Sequence, residues 1–243
     1  MCKEGIKTIV ASVVASAIVS GAIAYGVAGG SSDATVSNKV VEDYLMANPN
    51  TIRESLRLAA QQEQIEAEKR IAEGYKANLE ELNNADNSPF VGPKDADITI
   101  VEFFDFNCGY CKRLAPALAK VIKANPDVKF VFKPVTFLGS MPVAKAAMAA
   151  HKKGKFLEVY EALLTHNGQL TASVIEEKIE EAGLDWDEIK EIMESEEIKK
   201  DLAEISALSN KVGVRGVPTL IINGNPLQAI DEAPIQNAIN NLK

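Results

Sequence analysis

Two cysteines separated by two residues are the part of this 243-residue sequence best suited to chemistry. Cys108 and Cys111 enclose Gly109 and Tyr110, after a strongly apolar run and at the start of a helix-forming one. A thiol at a helix N-terminus faces unpaired backbone N–H groups and the positive end of the helix dipole, which favours the nucleophilic thiolate. The spacing lets the second thiol reach a mixed disulfide formed on the first. The sequence therefore predicts that Cys108 attacks and Cys111 resolves.

A zinc site and an inert structural disulfide are two other interpretations of this cysteine pair. Zinc would need more ligands, and the sequence offers only Cys2, His151 and His166, with no paired spacing between the histidines. We therefore expect no metal. A disulfide that serves only the stability of the chain stays open as an alternative.

The composition excludes several classes of protein. Hydrophobic residues make up 47% of the sequence, which is enough for a folded core and excludes a disordered or collagen-like chain. Lys and Arg number 26 against 34 Asp and Glu, which gives a net charge of −8. Such a chain has no general attraction for a phosphate backbone, so we expect no nucleic-acid partner.

The N-terminal part of the chain has the character of an export leader. No charged residue lies between Lys7 and Asp33, and residues 8–30 are almost entirely apolar or small. An apolar segment of this length lies between the core of a cleaved signal peptide and a membrane-spanning helix. We therefore predict that residues 1–32 are either a signal peptide or an inner-membrane anchor. The rest of the chain would then face the oxidising bacterial periplasm.

Residues 33–84 are predicted to form an arm of two helices. An apolar stripe marks the first helix, and Asn48-Pro49 supplies a cap and a first-turn proline for the second. Apolar residues recur every seven positions from Leu58 to Leu79, and they find no partner of sufficient length within the arm. We expect residues 36–82 to associate with other copies of the chain. The alternative is a helix folded back on its own domain.

Residues 85–243 are predicted to form an α/β domain. The order of its elements is strand, helix, strand, a long helical stretch, two strands and a final helix. Residues 83–97 are rich in Asn, Asp, Pro and Gly and are read as a linker. The order predicts a four-stranded mixed sheet with an inserted helical subdomain at about residues 138–208. The predicted strands cover residues 98–104, 128–135 and 219–222 and a short stretch near residue 227.

The stretch from Glu102 to Pro116, EFFDFNCGYCKRLAP, resembles the active-site segment of the thioredoxin superfamily. With the helical insert, the sequence from Pro89 to its end is similar to the DsbA branch of bacterial thiol–disulfide oxidoreductases. The helical arm adds a resemblance to the oligomeric ScsC-like members of that branch. The resemblance implies a thioredoxin fold, disulfide exchange without metal or organic cofactor, and dimers or trimers formed through the arm.

The same resemblance implies roles for two further positions. Glu102 lies six residues before Cys108, where the superfamily has a buried carboxylate that could exchange a proton with Cys111. Val217-Pro218 matches the loop in which the superfamily has a cis proline facing the dithiol and an extended substrate. Without the resemblance, Glu102 could be a strand-end carboxylate in water, and Pro218 a trans residue entering an edge strand.

The direction of exchange stays open at this point. Gly109 and Tyr110, which with Val217 and Pro218 are the expected substrate-binding residues, lack the histidine of the strong oxidant and are similar to the pair in the isomerase DsbC. Valine before the proline is more like the oxidase. An oligomer would favour isomerisation, because several dithiols would share a space shielded from an oxidising partner. A monomer would favour net oxidation.

The expected partners are proteins with cysteines, a membrane or soluble redox partner, and further copies of the chain. The rival function is a non-enzymatic envelope protein, a chaperone-like or surface module that keeps the dithiol only for its own stability. In the insert, we expect core at Met141, Ala147, Met148, Phe156 and Tyr160. The alternative for these residues is a peptide groove.

Overall fold

The computed structural model describes residues 34–243. The predicted leader at residues 1–32, with an anchor at 8–30 as one of its two interpretations, lies outside the described residues. Among the helices of residues 34–243, none combines the length and the apolar character needed to cross a membrane.

The arm contains two long helices and a short third one. Helix α1 covers Ala34–Ala47, helix α2 covers Pro49–Ala77 with Pro49 as its first residue, and helix α3 covers Leu79–Asn83. The chain separates into two compact units between residues 63 and 64. Within the second unit, the end of α2 and helix α3 contribute Tyr75 and Leu82 to the buried core.

The sheet of the second unit has five strands where the sequence predicts four. The additional strand, β1, lies in the segment 83–97 that was expected to be a linker. Phe90 and Val91 pair antiparallel with Val131 and Phe130, and a run of two residues is too short to show the alternation that signals a strand. The strands are β1 (Phe90–Val91), β2 (Thr99–Phe104), β3 (Lys129–Pro134), β4 (Thr219–Ile222) and β5 (Asn225–Leu227).

The topology of this sheet is that of the thioredoxin fold, as predicted. The spatial order is β1-β3-β2-β4-β5, with β2 and β3 parallel and every other neighbouring pair antiparallel. Helix α4 (Gly109–Ala124) connects β2 to β3, and helix α10 (Glu232–Asn240) follows β5. Every residue of β2 and β3 is buried. This places the start of α4 at the end of a fully enclosed strand.

The predicted helical insert lies between β3 and β4. Three of its helices begin at a side-chain cap, in which Thr171, Asp185 and Ser195 accept a backbone N–H of the first turn. The insert helices are α5 (Met141–Lys152), α6 (Phe156–Thr165), α7 (Ala172–Glu181), α8 (Trp186–Met193) and α9 (Glu196–Lys211).

The insert packs on one face of the sheet through an aromatic cluster. In neighbouring strands, Glu102 lies opposite Phe132 and Phe103 lies opposite Lys133. Because side chains alternate along a strand, Glu102 and Phe132 share one face and Lys133 lies on the other. Tyr160 of α6 packs on the first of these faces, with its ring centre 4.9 Å from that of Phe132.

Candidate active site

The reactive pair is positioned by the first turn of helix α4. Cys108 is the N-cap residue, with an extended backbone (φ −82°, ψ 120°), and its sulfur accepts the N–H of Cys111 at 3.4 Å. The Cys108 thiol also donates to the carbonyl of Val217 at 3.3 Å. Both cysteines are free thiols. Cys108 is 5% exposed and Cys111 is fully buried, so Cys108 is the sulfur closer to solvent.

A buried aspartate fixes the turn between β2 and α4. The Asp105 carboxylate accepts the backbone N–H groups of Asn107 and Leu138, each at 2.8 Å, and the Asp105 carbonyl accepts the N–H of Cys108 at 3.0 Å. Sequence reasoning missed this residue. An aspartate two residues before an asparagine, between a strand and a helix, is a recognisable Asx-turn signal. Its second contact, with Leu138, joins two loops that are distant in sequence and carries no such signal.

Glu102 is buried beneath the dithiol and is not a strand-end residue in water. It is 1% exposed, and its Oε2 accepts the hydroxyl of Tyr160 at 2.8 Å. Its other oxygen, Oε1, is buried without a hydrogen-bond partner in the described part of the chain. Burial raises the pKa of Glu102 to about 8, and the Tyr160 hydrogen bond opposes that rise. The group therefore changes charge in the pH range where thiols react.

The Cys111 thiol resists ionisation in this environment. Burial is the largest cause of its raised pKa, and the negative charges of Glu102 and Cys108 act in the same direction. A backbone hydrogen bond from Asp105 opposes them. Deprotonation of this thiol would therefore need a proton acceptor, and the Glu102 carboxylate lies close enough for its charge to act on Cys111.

The other predicted residues lie around Cys108. The Val217–Pro218 peptide bond is cis, and the loop that contains it lines a cleft of about 390 Å³ together with residues 226–230. Tyr110 is 63% exposed. A Cβ placed on Gly109 would meet no atom within 4 Å. Of the predicted set, Cys108, Cys111, Glu102 and Val217-Pro218 come together, while Gly109 and Tyr110 form the open rim.

Apolar side chains are exposed beside this rim. Phe137, Leu138 and Met141 are exposed along with Tyr110. The loop after β3 is tied to the active-site turn, because the Asn107 side chain donates to the Leu138 carbonyl at 3.0 Å. The expectation that Met141 belongs to the core of the insert is wrong, since Met141 lies at the first turn of α5 and faces solvent. Met148, Phe156 and Tyr160 are buried as expected.

Tyr160 is the main residue whose contact the sequence did not indicate. An aromatic residue at helical spacing predicts core, which is correct for its ring, but its hydroxyl reaches a carboxylate 58 residues away in the chain. Nothing in the local pattern of α6 points to that partner.

The described residues contain no ready-made metal site. Within residues 34–243, no three His, Cys, Asp or Glu side chains come together as metal ligands would. Cys2 lies outside that range.

A βαβ unit, a cis proline opposite an N-terminal Cys-x-x-Cys turn and a buried carboxylate behind it define a protein of the thioredoxin class. A protein-family model described as Thioredoxin matches residues 84–241. The chain therefore belongs to the thioredoxin family.

Similar proteins of known name fall into two groups. The chain is 30% identical over 137 residues to the Na(+)/H(+) antiporter NhaA 1 of Salinispora arenicola, a match that covers 55% of this chain and 21% of that protein. The chain thus spans about a fifth of the length of that relative. It is 28% identical over 154 residues to the probable disulfide bond formation protein D of Bacillus cereus, covering 56% of this chain and 69% of the relative.

Among solved structures, the chain is similar to Proteus mirabilis ScsC in a transitional conformation. The identity is 27% and the TM-score is 0.64, and the match covers 86% of this chain and 95% of ScsC. The match therefore extends well beyond the residues of the family model.

Proposed function

We propose that this protein is a thiol–disulfide oxidoreductase that acts on other proteins. The observation that carries the proposal is the placement of Cys108 at the N-terminus of α4, with its sulfur against the Val217 carbonyl and Cys111 behind it. A thiolate at this position is stabilised by backbone N–H groups and the helix dipole. The resemblance to a probable disulfide bond formation protein supports the same activity.

The exchange proceeds in two steps. The Cys108 thiolate attacks a client disulfide, so that one client sulfur bonds to Cys108 and the other leaves as a thiolate. Cys111 then transfers its proton to Glu102 and attacks the Cys108 sulfur, which releases the second client sulfur and leaves a Cys108–Cys111 disulfide. The client gains two electrons and the dithiol loses them. The reverse sequence oxidises a client dithiol.

The surface around Cys108 suits an unfolded polypeptide. Exposed apolar side chains at Tyr110, Phe137 and Leu138 offer contacts that do not depend on a particular sequence. The cleft along Val217 and Pro218 has room for an extended segment, and a strand-like backbone there would present its cysteine to Cys108.

We further propose that the protein self-associates through residues 36–82, by the exposed apolar side chains that precede the buried Tyr75, and favours isomerisation. Many large apolar side chains of this arm are exposed in the single chain, among them Val40, Tyr44 and Leu56. Such a surface is expected to be covered by another copy. The site of action is the bacterial envelope, in keeping with the charge-free segment between Lys7 and Asp33. The clients are envelope proteins, and a separate redox partner resets the dithiol.

Replacement of single cysteines tests the activity. Cys108→Ser should abolish insulin reduction and reactivation of scrambled ribonuclease, while Cys111→Ser should accumulate a mixed disulfide between Cys108 and the client. Accumulated mixed disulfide is detected as a mass increase that a reductant reverses. If the parent protein binds clients but turns none over, the non-enzymatic chaperone-like function replaces this proposal.

The arm is tested by substitution on its exposed apolar surface. Val40→Asp with Leu56→Asp should reduce the mass in solution, measured by light scattering, to that of one chain. The same variant should lose ribonuclease reactivation and keep oxidation of a reduced peptide. A parent protein that is already monomeric and only oxidises reduced clients would make this protein an oxidase.

A further inference from the structure

We infer that Tyr160 is a positioning residue of the exchange reaction: its hydroxyl occupies one oxygen of Glu102 and leaves the other, Oε1, to take the proton of Cys111. The inference rests on the proposed function and adds to it a residue and an atom. It starts from two observations, the 2.8 Å hydrogen bond from Tyr160 to Oε2 and the absence of any partner for Oε1 within residues 34–243.

The Tyr160 ring is held rigidly. It is fully buried and lies among three aromatic rings, with centre-to-centre distances of 5.1 Å to Phe104, 4.9 Å to Phe132 and 5.6 Å to Phe156. Rings in such contacts cannot turn away without loss of packing. The hydroxyl is therefore aimed at Glu102 by the core itself.

Apart from Tyr160, the residues around Glu102 supply its carboxylate with no hydrogen-bond partner in the described part of the chain. Its neighbours on the adjacent strands are Phe132 of β3 and Leu220 of β4, both apolar. The titratable groups that act on Glu102 from the packed helices are Tyr160 of α6 and Cys111 of α4. A single hydroxyl thus supplies the hydrogen bond of this carboxylate, and its removal leaves two buried oxygens unpaired.

The same hydrogen bond suits both charge states of Glu102. When the carboxylate is ionised, Oε2 accepts from Tyr160 and Oε1 is ready for a proton. When Oε1 carries the proton, Oε2 is the carbonyl oxygen of the acid and still accepts from Tyr160. The proton can therefore arrive and leave without rearrangement of the core, which is what preorganised proton transfer requires.

Loss of the Tyr160 hydroxyl should act on the second step of exchange alone. A donor to the carboxylate favours its ionised form, so Tyr160→Phe leaves less of the form that accepts the Cys111 proton at neutral pH. Attack by Cys108 on a disulfide does not use that proton. The predicted defect is therefore confined to resolution and should disappear at alkaline pH.

A coloured aromatic disulfide reagent separates the two steps in one stopped-flow experiment. The first burst of thiolate reports the attack by Cys108, and the second reports the attack by Cys111 on the mixed disulfide. For Tyr160→Phe in the full chain, we expect a second burst about tenfold slower near pH 7 and restored near pH 10, with the first burst changed less than about twofold.

Two further variants complete the design. Ser209→Ala removes another buried hydroxyl, which donates to the Ser206 carbonyl of α9 at 2.8 Å, and it should leave both bursts unchanged. Glu102→Gln should slow the second burst, and adding Tyr160→Phe to it should have no further effect, because the tyrosine acts through the carboxylate.

The outcomes are distinguishable. Equal second bursts in the parent and Tyr160→Phe across the pH range, or a further slowing in the double variant, would overturn the role of Tyr160. A first burst slowed as much as the second would mean a general structural defect and would also overturn it. A parent protein that shows no first burst would instead overturn the proposed function.

Discussion

Glu102 and Lys133 are the most deeply buried ionisable side chains on the two faces of the central sheet, and their surroundings differ; Lys129 is also buried on the Lys133 face. Lys133 of β3 donates to the Ser88 hydroxyl at 3.0 Å and to the Asn84 carbonyl at 3.2 Å. Glu102 of β2 has a partner at one oxygen, and its second oxygen is unpaired within the described residues. Both side chains have pKa values moved to about 8, mainly by burial, Lys133 downward and Glu102 upward.

The difference separates a structural charge from a reactive one. The hydrogen bonds of Lys133 fasten the segment before β1 to the sheet and supply its buried ammonium with partners. A buried oxygen without a hydrogen-bond partner lowers the free energy of unfolding. The stability of the fold therefore gives no reason for such an oxygen to be present. Glu102 bears that cost next to the one pair of free thiols in the described chain, where a vacant oxygen has a use.

The largest expected effect is on the pH dependence of stability at Glu102. Its pKa is raised in the folded state, so the fold favours the protonated form and loses stability as pH rises from about 4.5 to about 8. Glu102→Gln should therefore gain on the order of 4 kcal/mol in unfolding free energy, relative to the parent, between about pH 4 and pH 8. Urea unfolding of the reduced proteins measures this difference. A constant difference across that range would contradict the burial of an ionisable carboxyl.

Lys133 should give the opposite slope in a different window. Its pKa is lowered in the folded state, so the cost of the buried ammonium is full below about pH 8 and vanishes as pH rises through 10.5. The unfolding free energy of Lys133→Met minus that of the parent should therefore fall by about 3 kcal/mol between pH 7 and pH 11. The same unfolding series checks this. If the difference stays constant instead, the lysine is better solvated than its contacts indicate.

The smallest of the three effects is on the rate of exchange, and it tests the two side chains side by side. Glu102→Gln should slow resolution of the mixed disulfide by about 100-fold near pH 9, where the parent carboxylate is ionised. Lys133→Met, an equally buried charge on the other face, should change that rate by less than about twofold. Stopped-flow measurement of the second thiolate burst gives both rates. Similar slowing in the two variants would show that burial of charge, and not position, controls the reaction.

Much of the fold can be predicted from the sequence, because most helices and strands have strong local patterns of apolar residues. The apolar runs predicted as strands at residues 98–104 and 128–135 agree with β2 and β3 to within a residue or so. The sequence does not predict strand β1, because this strand is only two residues long. It does not separate helix α3 from α2, because a single residue lies between them. Both depend on tertiary contacts for their existence.

The candidate site divides in the same way. Cys108 and Cys111 are evident from spacing alone, and Glu102 and Pro218 follow from the resemblance. Tyr160 and Lys133 have partners that are 58 and 45 or more residues away in the chain. No local sequence pattern encodes such pairings. From the sequence, Tyr160 is predicted only as a core residue and Lys133 only as part of a strand, and their partners are visible only in the structure.

The carboxylate of Asp105 has a consequence for how this protein can change over generations. It joins the turn that carries the nucleophile to the loop of Phe137 and Leu138 through backbone N–H groups. Because the link to this loop uses the main-chain N–H of Leu138, the side chains of Phe137 and Leu138 can vary without moving Cys108. The client preference of the proposed oxidoreductase can then change with them. One residue is forbidden at position 138: proline has no N–H to donate. The exposed side chains of this loop can therefore change while the position of Cys108 stays fixed.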